Sequence, residues 1–196
     1  MGSCDTLYNM DSKLQIISGT FRGRKLRLPD GARPTQNRAR IALFNMLDGI
    51  VGARDTLNVW DAFAGSGEFG IEFLSRHPTA NVTFTDNAAA SIKTVRANVA
   101  PLNVGARANI LMADAMTRID QFAPNADLIF VDPPYDLAEL GARFVRRAGA
   151  VVRDDTVLVW EQDADKFMSP DGAQWEILRD KTYGRARFLI LQRRAQ

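Results

Sequence analysis

The feature of this sequence that most restricts its fold is an alternation of short apolar strands and helical segments, which begins at residue 57. Strands are predicted at 57–61, 82–86, 108–112, 127–131 and 156–161. The helical segments between them are predicted at about 68–76, 88–99 and 138–148, with a short helix after Asp114. Because helices connect successive strands, the strands run parallel and helices cover both faces of the sheet. The sequence therefore predicts an α/β fold.

The C-terminal segment departs from this alternation. Residues 175–182 and 186–191 are predicted strands joined across Tyr183-Gly184-Arg185. Strands with so short a connection form an antiparallel hairpin. We therefore predict a mostly parallel sheet of seven strands that is closed by this hairpin, whereas the common dinucleotide-binding folds continue with parallel strands.

The N-terminal segment is predicted to form a small basic β-hairpin. Its two short strands are expected at 14–17 and 25–28, and Pro29-Asp30-Gly31 ends it. Thr35 is expected to cap the helix that follows. The apolar face of that helix is predicted to carry Ile41, Phe44 and Leu47.

The distribution of charge indicates a polyanionic partner. Eight basic residues and one acid lie between Lys13 and Arg40, and six basic residues and one acid lie from Arg179 onward. The rest of the chain holds 11 basic and 21 acidic residues, although the whole chain has a net charge of only +2. Two basic ends around an acidic body are typical of nucleic-acid binding. The alternative is charge placed on exposed faces for solubility.

A glycine-rich turn after the first predicted strand indicates a cofactor site. It reads Asp61-Ala62-Phe63-Ala64-Gly65-Ser66-Gly67. Glycines let the backbone approach a ligand closely, and the start of the next helix can hold polar groups. Asp86 ends the second strand, where a carboxylate can accept both hydroxyls of a ribose. The turn also satisfies the G-x-G-x-x-G pattern of NAD enzymes, so by itself it leaves both cofactors open.

Three features favour S-adenosylmethionine over NAD. Asp61 ends the first strand, where its carboxylate can reach the cationic methionine end of the cofactor. The antiparallel hairpin closes the sheet. A second motif, Asp132-Pro133-Pro134-Tyr135, follows the fourth strand. In the alternative interpretation, Asp61 caps a turn and the glycines only permit close packing.

The Asp132-Pro133-Pro134-Tyr135 motif lies where a ligand is expected, because ligands bind outside the carboxyl ends of strands in an open α/β sheet. Its residue types predict chemistry on an amino group. The exocyclic amino group of a base is a poor nucleophile, since its lone pair is delocalised into the ring. The Asp132 carboxylate and the Pro133 carbonyl can accept its two N–H bonds and direct the lone pair at a methyl donor. Tyr135 can stack on the base. A Pro-Pro loop with Asp132 as a turn residue is the alternative.

Composition argues against other chemistries and compartments. Cys4 is the only cysteine and His77 the only histidine, so neither an internal disulfide nor a metal site built on these residues is expected. For the same reason, methylation through a cysteine nucleophile and a hydrolase triad at Ser66 are disfavoured. No apolar run approaches the roughly 18 residues of a membrane span, and no secretory signal is apparent. We expect a cytoplasmic monomer that uses no metal and no membrane.

The two motifs together resemble those of the bacterial 16S rRNA guanine-N2 methyltransferases that act on the small ribosomal subunit. The resemblance covers nearly everything from Leu14 onward. It includes the segment 16–26, with its Arg-Gly-Arg-Lys sequence, and the segment 43–47. The other matching residues are Arg33-Pro34-Thr35, Arg38, Arg40, Gly70, Glu72 and Ser75-Arg76. Asp86 stands where this family usually has Glu, which changes the reach of the expected ribose contact.

The resemblance implies a Rossmann-like methyltransferase domain over 35–196, preceded by a basic hairpin extension over 14–34. Residues 1–13 have no counterpart in the family and are expected to form a disordered leader. It implies that S-adenosylmethionine is held by the glycine turn, with Asp86 near the ribose and Asp114 near the adenine. The implied cofactor-binding residues are Arg33, Thr35, Asp61, Phe63, Ala64, Gly65, Ser66, Gly67, Asp86, Asn87, Asp114 and Ala115. Asp132 to Tyr135 are expected at the target base. The residues expected to contact RNA are Arg22, Arg24, Lys25 and Arg38.

These expectations lead to one main hypothesis and two alternatives. The main hypothesis is methyl transfer to the N2 amino group of a guanine in 16S rRNA, within a small-subunit particle. An adenine-N6 DNA methyltransferase shares the logic of the Asp132 motif, but it usually carries a target-recognition region for which this chain has no room. A non-catalytic RNA-binding assembly factor on the same fold is the second alternative, and it would have no need of the Asp132 carboxylate.

Overall fold

The computed structural model describes residues 14–29, 37–52 and 56–195. The predictions for the leader at 1–13, for Arg33 and for Thr35 lie outside these residues. The helices are α1 (Asn37–Val51), α2 (Glu68–Arg76), α3 (Ala89–Val99), α4 (Ala115–Phe122) and α5 (Ala138–Ala148). The strands are β1 (Asn58–Asp61), β2 (Asn81–Asp86), β3 (Ala108–Met112), β4 (Leu128–Val131), β5 (Val157–Asp163), β6 (Trp175–Tyr183) and β7 (Ala186–Arg193).

The seven strands form one sheet in the order β3-β2-β1-β4-β5-β7-β6. Strands β1 to β5 pair in parallel, and β7 is antiparallel to both β5 and β6. The predicted α/β fold with a closing hairpin is therefore confirmed. The winding direction reverses between β1 and β4, and the carboxyl ends of strands at such a reversal form the usual ligand crevice of this architecture.

Helices cover both faces of the sheet, as its alternating side chains require. On one face Val59, Phe84, Phe130 and Phe188 pack with the extension, α1, α2 and α3. On the other, Trp60, Ile129, Trp160 and Leu189 pack with α4 and α5. The aromatic rings of the first face include a stacked pair, Phe69 and Phe130, whose ring centroids are 4.0 Å apart.

The N-terminal extension, residues 14–29, differs from the predicted hairpin. The chain reverses as expected, but Gln15 and Lys25 make a single antiparallel bridge rather than two paired strands. The reason is that its polar backbone groups bind α2: the N–H groups of Ile17 and Ser18 donate to the Glu72 carboxylate at 2.7 and 3.0 Å. The side chains of Leu14, Ile16 and Leu26 are buried in the main core. The extension is thus part of the domain core.

Helix α1 turns most of its predicted face to the core but differs from the prediction at two positions. Phe44 and Leu47 are buried as expected, but Ile41 is 41% exposed and Arg40 only 3% exposed. Arg40 forms ion pairs with Glu68 and Glu72 of α2. Because a buried charge requires a partner, these two carboxylates fix the orientation of α1. Arg40 therefore does not belong to the basic surface that the charge distribution suggests.

Candidate active site

A cleft of about 980 Å³ opens at the carboxyl ends of the parallel strands. It brings together most of the residues that the sequence predicts for cofactor binding and catalysis. Those that line it are Asp61, Phe63, Ala64, Gly65, Ser66, Asp86, Asn87, Asp114, Ala115, Asp132, Pro133, Pro134 and Tyr135. Gly67 lies at the start of α2 but does not line the cleft. The cleft joins the region of the glycine turn to the region of the Asp132 motif.

The glycine turn adopts a conformation that requires its two central glycines. Gly65 and Gly67 have φ angles of 53° and 79°, in the left-handed region that other residues rarely adopt. A Cβ atom at Gly67 would also come within 3.2 Å of Val95 on α3. The turn therefore brings α2 close to α3 and leaves its backbone facing the cleft.

Two carboxylates beyond the turn are held by backbone N–H groups. Asp86, at the end of β2, accepts from the N–H groups of Gly65 and Ala88 at 2.9 and 2.8 Å, one at each carboxylate oxygen. Asp114 caps α4 and accepts from the N–H of Met116 at 2.8 Å. Each carboxylate oxygen has further lone pairs, so both side chains remain able to accept hydrogen bonds from a ligand.

Asp61 is more deeply buried than its expected role suggests. It ends β1, is 1% exposed, and accepts a hydrogen bond from the N–H of Gly70 at 3.1 Å. Burial raises the pKa of Asp61 to about 7, and the nearby Asp86 carboxylate adds to this effect. A cationic ligand in the cleft would favour its ionised form.

The Asp132 motif begins immediately after β4, beside a second carboxylate on β5. Val131 pairs with Trp160 in parallel register, so Asp132 and Glu161 are the next residues on neighbouring strands. The Tyr135 hydroxyl donates to Oε1 of Glu161 at 2.9 Å. Burial raises the pKa of Asp132, and the Glu161 carboxylate raises it further. Burial also raises the pKa of Glu161 to about 7.

Asp61, Glu68, Asp132 and Glu161 form a carboxylate cluster along the cleft. Burial raises the pKa of Glu68 to about 7, although the ion pair with Arg40 opposes the rise. The cluster makes the cleft acidic and suited to a cationic or amino ligand. At its edge, the Arg185 guanidinium lies 5.6 Å from the centre of the Tyr135 ring and binds Asp163 at 2.6 Å.

Sequence reasoning missed Glu68, Glu161 and Arg185 as cleft residues. A signal for Glu161 was available, because residue 161 ends the predicted fifth strand, and ligands bind at such ends. Glu68 looked like one of many first-turn acids of a helix. Arg185 looked like a surface charge in a hairpin turn, and no sequence pattern relates it to Tyr135.

The four residues expected to contact RNA do not line the cleft. Arg22, Arg24, Lys25 and Arg38 are all exposed. Arg24 also has structural contacts, since its guanidinium donates to the Pro101 carbonyl at 2.9 Å and lies 5.9 Å from the centre of the Phe21 ring. All four belong to the extension and α1, which pack on the same face of the sheet.

Two features are absent from residues 14–29, 37–52 and 56–195. No group of three or more His, Cys, Asp or Glu side chains there is arranged to hold a metal ion. No helix in the same residues is long and apolar enough to cross a membrane.

A parallel sheet completed by an antiparallel β7, with its cleft at the carboxyl ends of the strands, defines the class of Rossmann-like methyltransferases. The family model described as "Conserved hypothetical protein 95" matches residues 14–192, and the chain belongs to this family. This membership and the curated relatives described next together confirm the resemblance found in the sequence.

Curated relatives and solved structures agree with this assignment. The chain is 32% identical to "Ribosomal RNA small subunit methyltransferase D" of Escherichia coli (strain K12), over 94% of this chain and 92% of that protein. It is 29% identical to the Haemophilus influenzae protein of the same name, over 94% and 96% of the two chains. The solved structure of yhhF from Escherichia coli has a TM-score of 0.76 at 32% identity, and the match covers 93% of this chain and 98% of that chain.

A more distant structure shares the fold alone. An RNA methyltransferase from Salinibacter ruber in complex with S-adenosyl-L-homocysteine has a TM-score of 0.63 at 14% identity, over 84% of this chain and 95% of that chain.

Proposed function

We propose that this methyltransferase transfers a methyl group from S-adenosylmethionine to the exocyclic N2 amino group of a guanine in 16S rRNA of the small ribosomal subunit. The observation that carries the proposal is the position of Asp132-Pro133-Pro134-Tyr135 in the same cleft as the glycine turn. The names of the relatives support small-subunit rRNA as the substrate class.

The residues of the cleft fit this cofactor chemically. The carboxylates of Asp61 and the rest of the cluster suit a ligand with a cationic sulfonium and ammonium. Asp86 can accept hydrogen bonds from ribose hydroxyls while it binds the glycine turn. Asp114 and Ala115, which also line the cleft, would contact the adenine. When bound, S-adenosylmethionine would supply the electrophilic methyl group.

The residues after β4 would orient the attacking nitrogen. The Asp132 carboxylate and the Pro133 carbonyl each accept a hydrogen bond from one N–H of the base amino group. These two bonds move the lone pair of the amino nitrogen out of conjugation with the ring. The nitrogen would gain the methyl group as the bond from that methyl group to the sulfonium sulfur breaks, with S-adenosylhomocysteine as the leaving group, and it would lose one proton. Because the pKa of Asp132 is raised, its carboxylate is a stronger base than an exposed aspartate and can hold that proton at Oδ.

The exposed basic residues would serve a different purpose. Contacts to phosphates position a nucleic acid without reading its sequence, and Arg22, Arg24, Lys25 and Arg38 lie outside the cleft, where they can bind the surrounding RNA backbone. A folded ribosomal particle would offer more of that backbone than a short oligonucleotide. We propose a small-subunit particle as the substrate for this reason.

Methylation of adenine N6 in DNA is the main rival, because it needs the same two acceptors. To distinguish them, the protein is incubated with S-adenosylmethionine labelled in its methyl group and, separately, with naked 16S rRNA, small subunits and duplex DNA. The labelled nucleoside is then identified. N2-methylguanosine from rRNA or subunits would support the proposal, whereas labelled N6-methyladenine or the absence of transfer to any RNA would refute it.

The cofactor has its own test. S-adenosylmethionine or S-adenosylhomocysteine should raise the melting temperature, because a ligand that binds only the folded state stabilises it, and NAD should not. Stabilisation by NAD alone would refute the cofactor assignment.

A further inference from the structure

Glu161 is a cleft residue to which the proposed reaction gives no role beyond its negative charge. It lies on β5, is 3% exposed, and lines the cleft beside Asp132 and Tyr135. The parallel register of Val131 with Trp160 places the side chains of Asp132 and Glu161 on the same face of the sheet, on strands about 4.8 Å apart. At this spacing two carboxylates can reach two neighbouring donors on one aromatic ring.

The two oxygens of Glu161 are not equivalent. Oε1 accepts the Tyr135 hydroxyl at 2.9 Å. Oε2 has no hydrogen-bond partner among residues 14–29, 37–52 and 56–195. The bond to Tyr135 therefore fixes the orientation of the carboxylate and leaves Oε2 free to accept a hydrogen bond, on a residue that lines the cleft.

An acceptor beside Asp132 matches guanine and not adenine. Guanine presents two adjacent donors, N1–H and the N2 amino group. Adenine presents an amino group beside a bare N1 lone pair, which an ionised carboxylate would repel. Unpaired polar groups in a buried site produce strong discrimination between otherwise similar substrates.

We propose that Glu161 determines specificity for guanine, its Oε2 accepting the N1–H of the target base while Asp132 holds the N2 amino group. The proposal rests on the proposed function and deepens it, because it assigns the choice of base to a residue outside the Asp132 motif.

The test compares guanine with 2-aminopurine, which keeps the N2 amino group but has a lone pair in place of N1–H. The nucleotide that the wild-type protein modifies is first mapped, and RNA carrying either base at that position is assembled by ligation. Wild type should favour guanine by about 100-fold or more in kcat/KM. Wild type that does not distinguish the two bases would overturn the proposal without any variant.

Glu161→Gln is the diagnostic variant. Its amide oxygen can still accept the Tyr135 hydroxyl, but its amide nitrogen now points a donor at N1–H. The variant should lose guanine activity and lower the guanine to 2-aminopurine ratio by at least about 10-fold. The missing O6 of 2-aminopurine affects both proteins alike, so the change in this ratio is the readout. An unchanged ratio would overturn the proposal.

Tyr135→Phe is the matched control, because it removes the hydroxyl and keeps the carboxylate. It should slow transfer to both bases and lower their ratio less than Glu161→Gln does, because the carboxylate loses its fixed orientation but can still accept the N1–H. If it changes the ratio as much as Glu161→Gln does, Glu161 acts only through Tyr135, and the proposal fails. Failure of the proposed function looks different, because wild type would then label no guanine N2 at all.

Discussion

Asp132 directly follows β4 and lies beside Glu161 in the cleft, and the proposed chemistry depends on it as an acceptor in the transition state. Replacing it by Asn keeps its shape but turns one acceptor into a donor. We expect Asp132→Asn to lower kcat by about 10² to 10³-fold and to leave cofactor affinity nearly unchanged, because the loss falls on the transition state.

Single-turnover transfer and calorimetric binding of S-adenosylhomocysteine measure the two quantities separately. Asp154→Asn is the matched control, since Asp154 is exposed and lies outside the cleft. An Asp132→Asn protein that turns over within threefold of wild type would place the chemistry elsewhere.

Gly19 lies directly against the backbone of α2. Its φ is 80°, and a Cβ atom there would lie 1.9 Å from the Ser75 carbonyl oxygen. Gly23 has a similar φ of 83° with nothing within 4 Å of its Cβ position. Both Ala variants suffer the backbone strain of about 1 kcal/mol, and only Gly19→Ala adds a clash with backbone.

We therefore expect Gly19→Ala to lower the melting temperature by several degrees more than Gly23→Ala, measured by calorimetry on both variants. Equal losses would show that the extension does not dock against α2 as described.

Individual residues were the least predictable level of this molecule. The sequence predicts that Asp61, Asp86 and Asp132 line the site, because each lies at the end of an apolar strand. The end of such a strand can be recognised from the hydrophobic pattern. Arg40 belongs to a basic run that suggests a surface charge, yet it is buried against Glu68 and Glu72. Such a pairing depends on how α1 docks on α2, and the local sequence does not predict that packing.

At the level of elements, Glu72 of α2 joins the extension to the domain. Its fully buried carboxylate accepts from two backbone N–H groups of the extension, and it also binds Arg76 at 2.8 Å and Arg40 at 3.5 Å. Glu72→Gln would remove the negative charge that pairs with Arg40 and Arg76. It would also place an amide N–H donor against the backbone N–H donors of the extension. We expect a loss of about 3 kcal/mol, or roughly 10 °C in melting temperature.

The control is Glu176→Gln, because Glu176 is exposed on β6. Thermal unfolding of the two variants gives the comparison. If Glu72→Gln melts within 2 °C of the control, with about 1 °C of scatter expected for surface changes, this docking interaction contributes little.

The basic extension leads to a prediction about salt. Replacing Arg22, Arg24 and Lys25 by Ala should weaken binding to rRNA or subunits and flatten its log–log salt dependence by about 0.7 to 0.9 per lost phosphate contact. Cofactor affinity should be unchanged. Stability should fall only slightly, through the contacts of Arg24 with Pro101 and Phe21.

A matched triple variant removes the same charge from the opposite face of the sheet, at Arg118, Arg143 and Arg146, which are exposed on α4 and α5. Binding of both proteins is measured at several salt concentrations. Identical salt slopes for the two triple variants would mean that the extension is only a solvated face.

Elements were predicted well wherever periodicity determined them. The five parallel strands and the closing hairpin follow from alternation and from the turn at Gly184. The two strands expected in the extension were wrong in detail, because Ile17 and Ser18 give their N–H groups to a helix side chain. A pattern can indicate an extended segment without indicating which partner takes its hydrogen bonds.

For the whole molecule, the carboxylate cluster predicts an unusual dependence of stability on pH. Asp61, Glu68 and Glu161 have pKa values raised from about 4 to about 7, so the folded state binds more protons than the unfolded state between these values. The contribution of these three groups to the free energy of unfolding is complete below about pH 4 and is lost as pH rises through about 7. His77, whose pKa is lowered by burial, opposes this trend as a single group.

We therefore expect the melting temperature of the cofactor-free protein to fall between pH 5 and pH 8, by several degrees. Asp163 and Asp180, whose pKa values are lowered by Arg185 and Arg187, lose their contributions only below this window. Glu161→Gln should flatten the slope. Calorimetry across the window tests both statements, and a melting temperature that rises with pH would contradict them.

The position of β7 in the sheet affects how the molecule can be made. Strand β7 lies between β5 and β6, yet it is synthesised after both. While the chain is still emerging, β5 therefore has an open edge and β6 lacks the neighbour it will pair with. Open apolar edges invite association between chains. The sheet can therefore close only after the eight residues of Ala186–Arg193 have been synthesised. Until then, the open edge of β5 in the nascent chain must be kept from pairing with other chains.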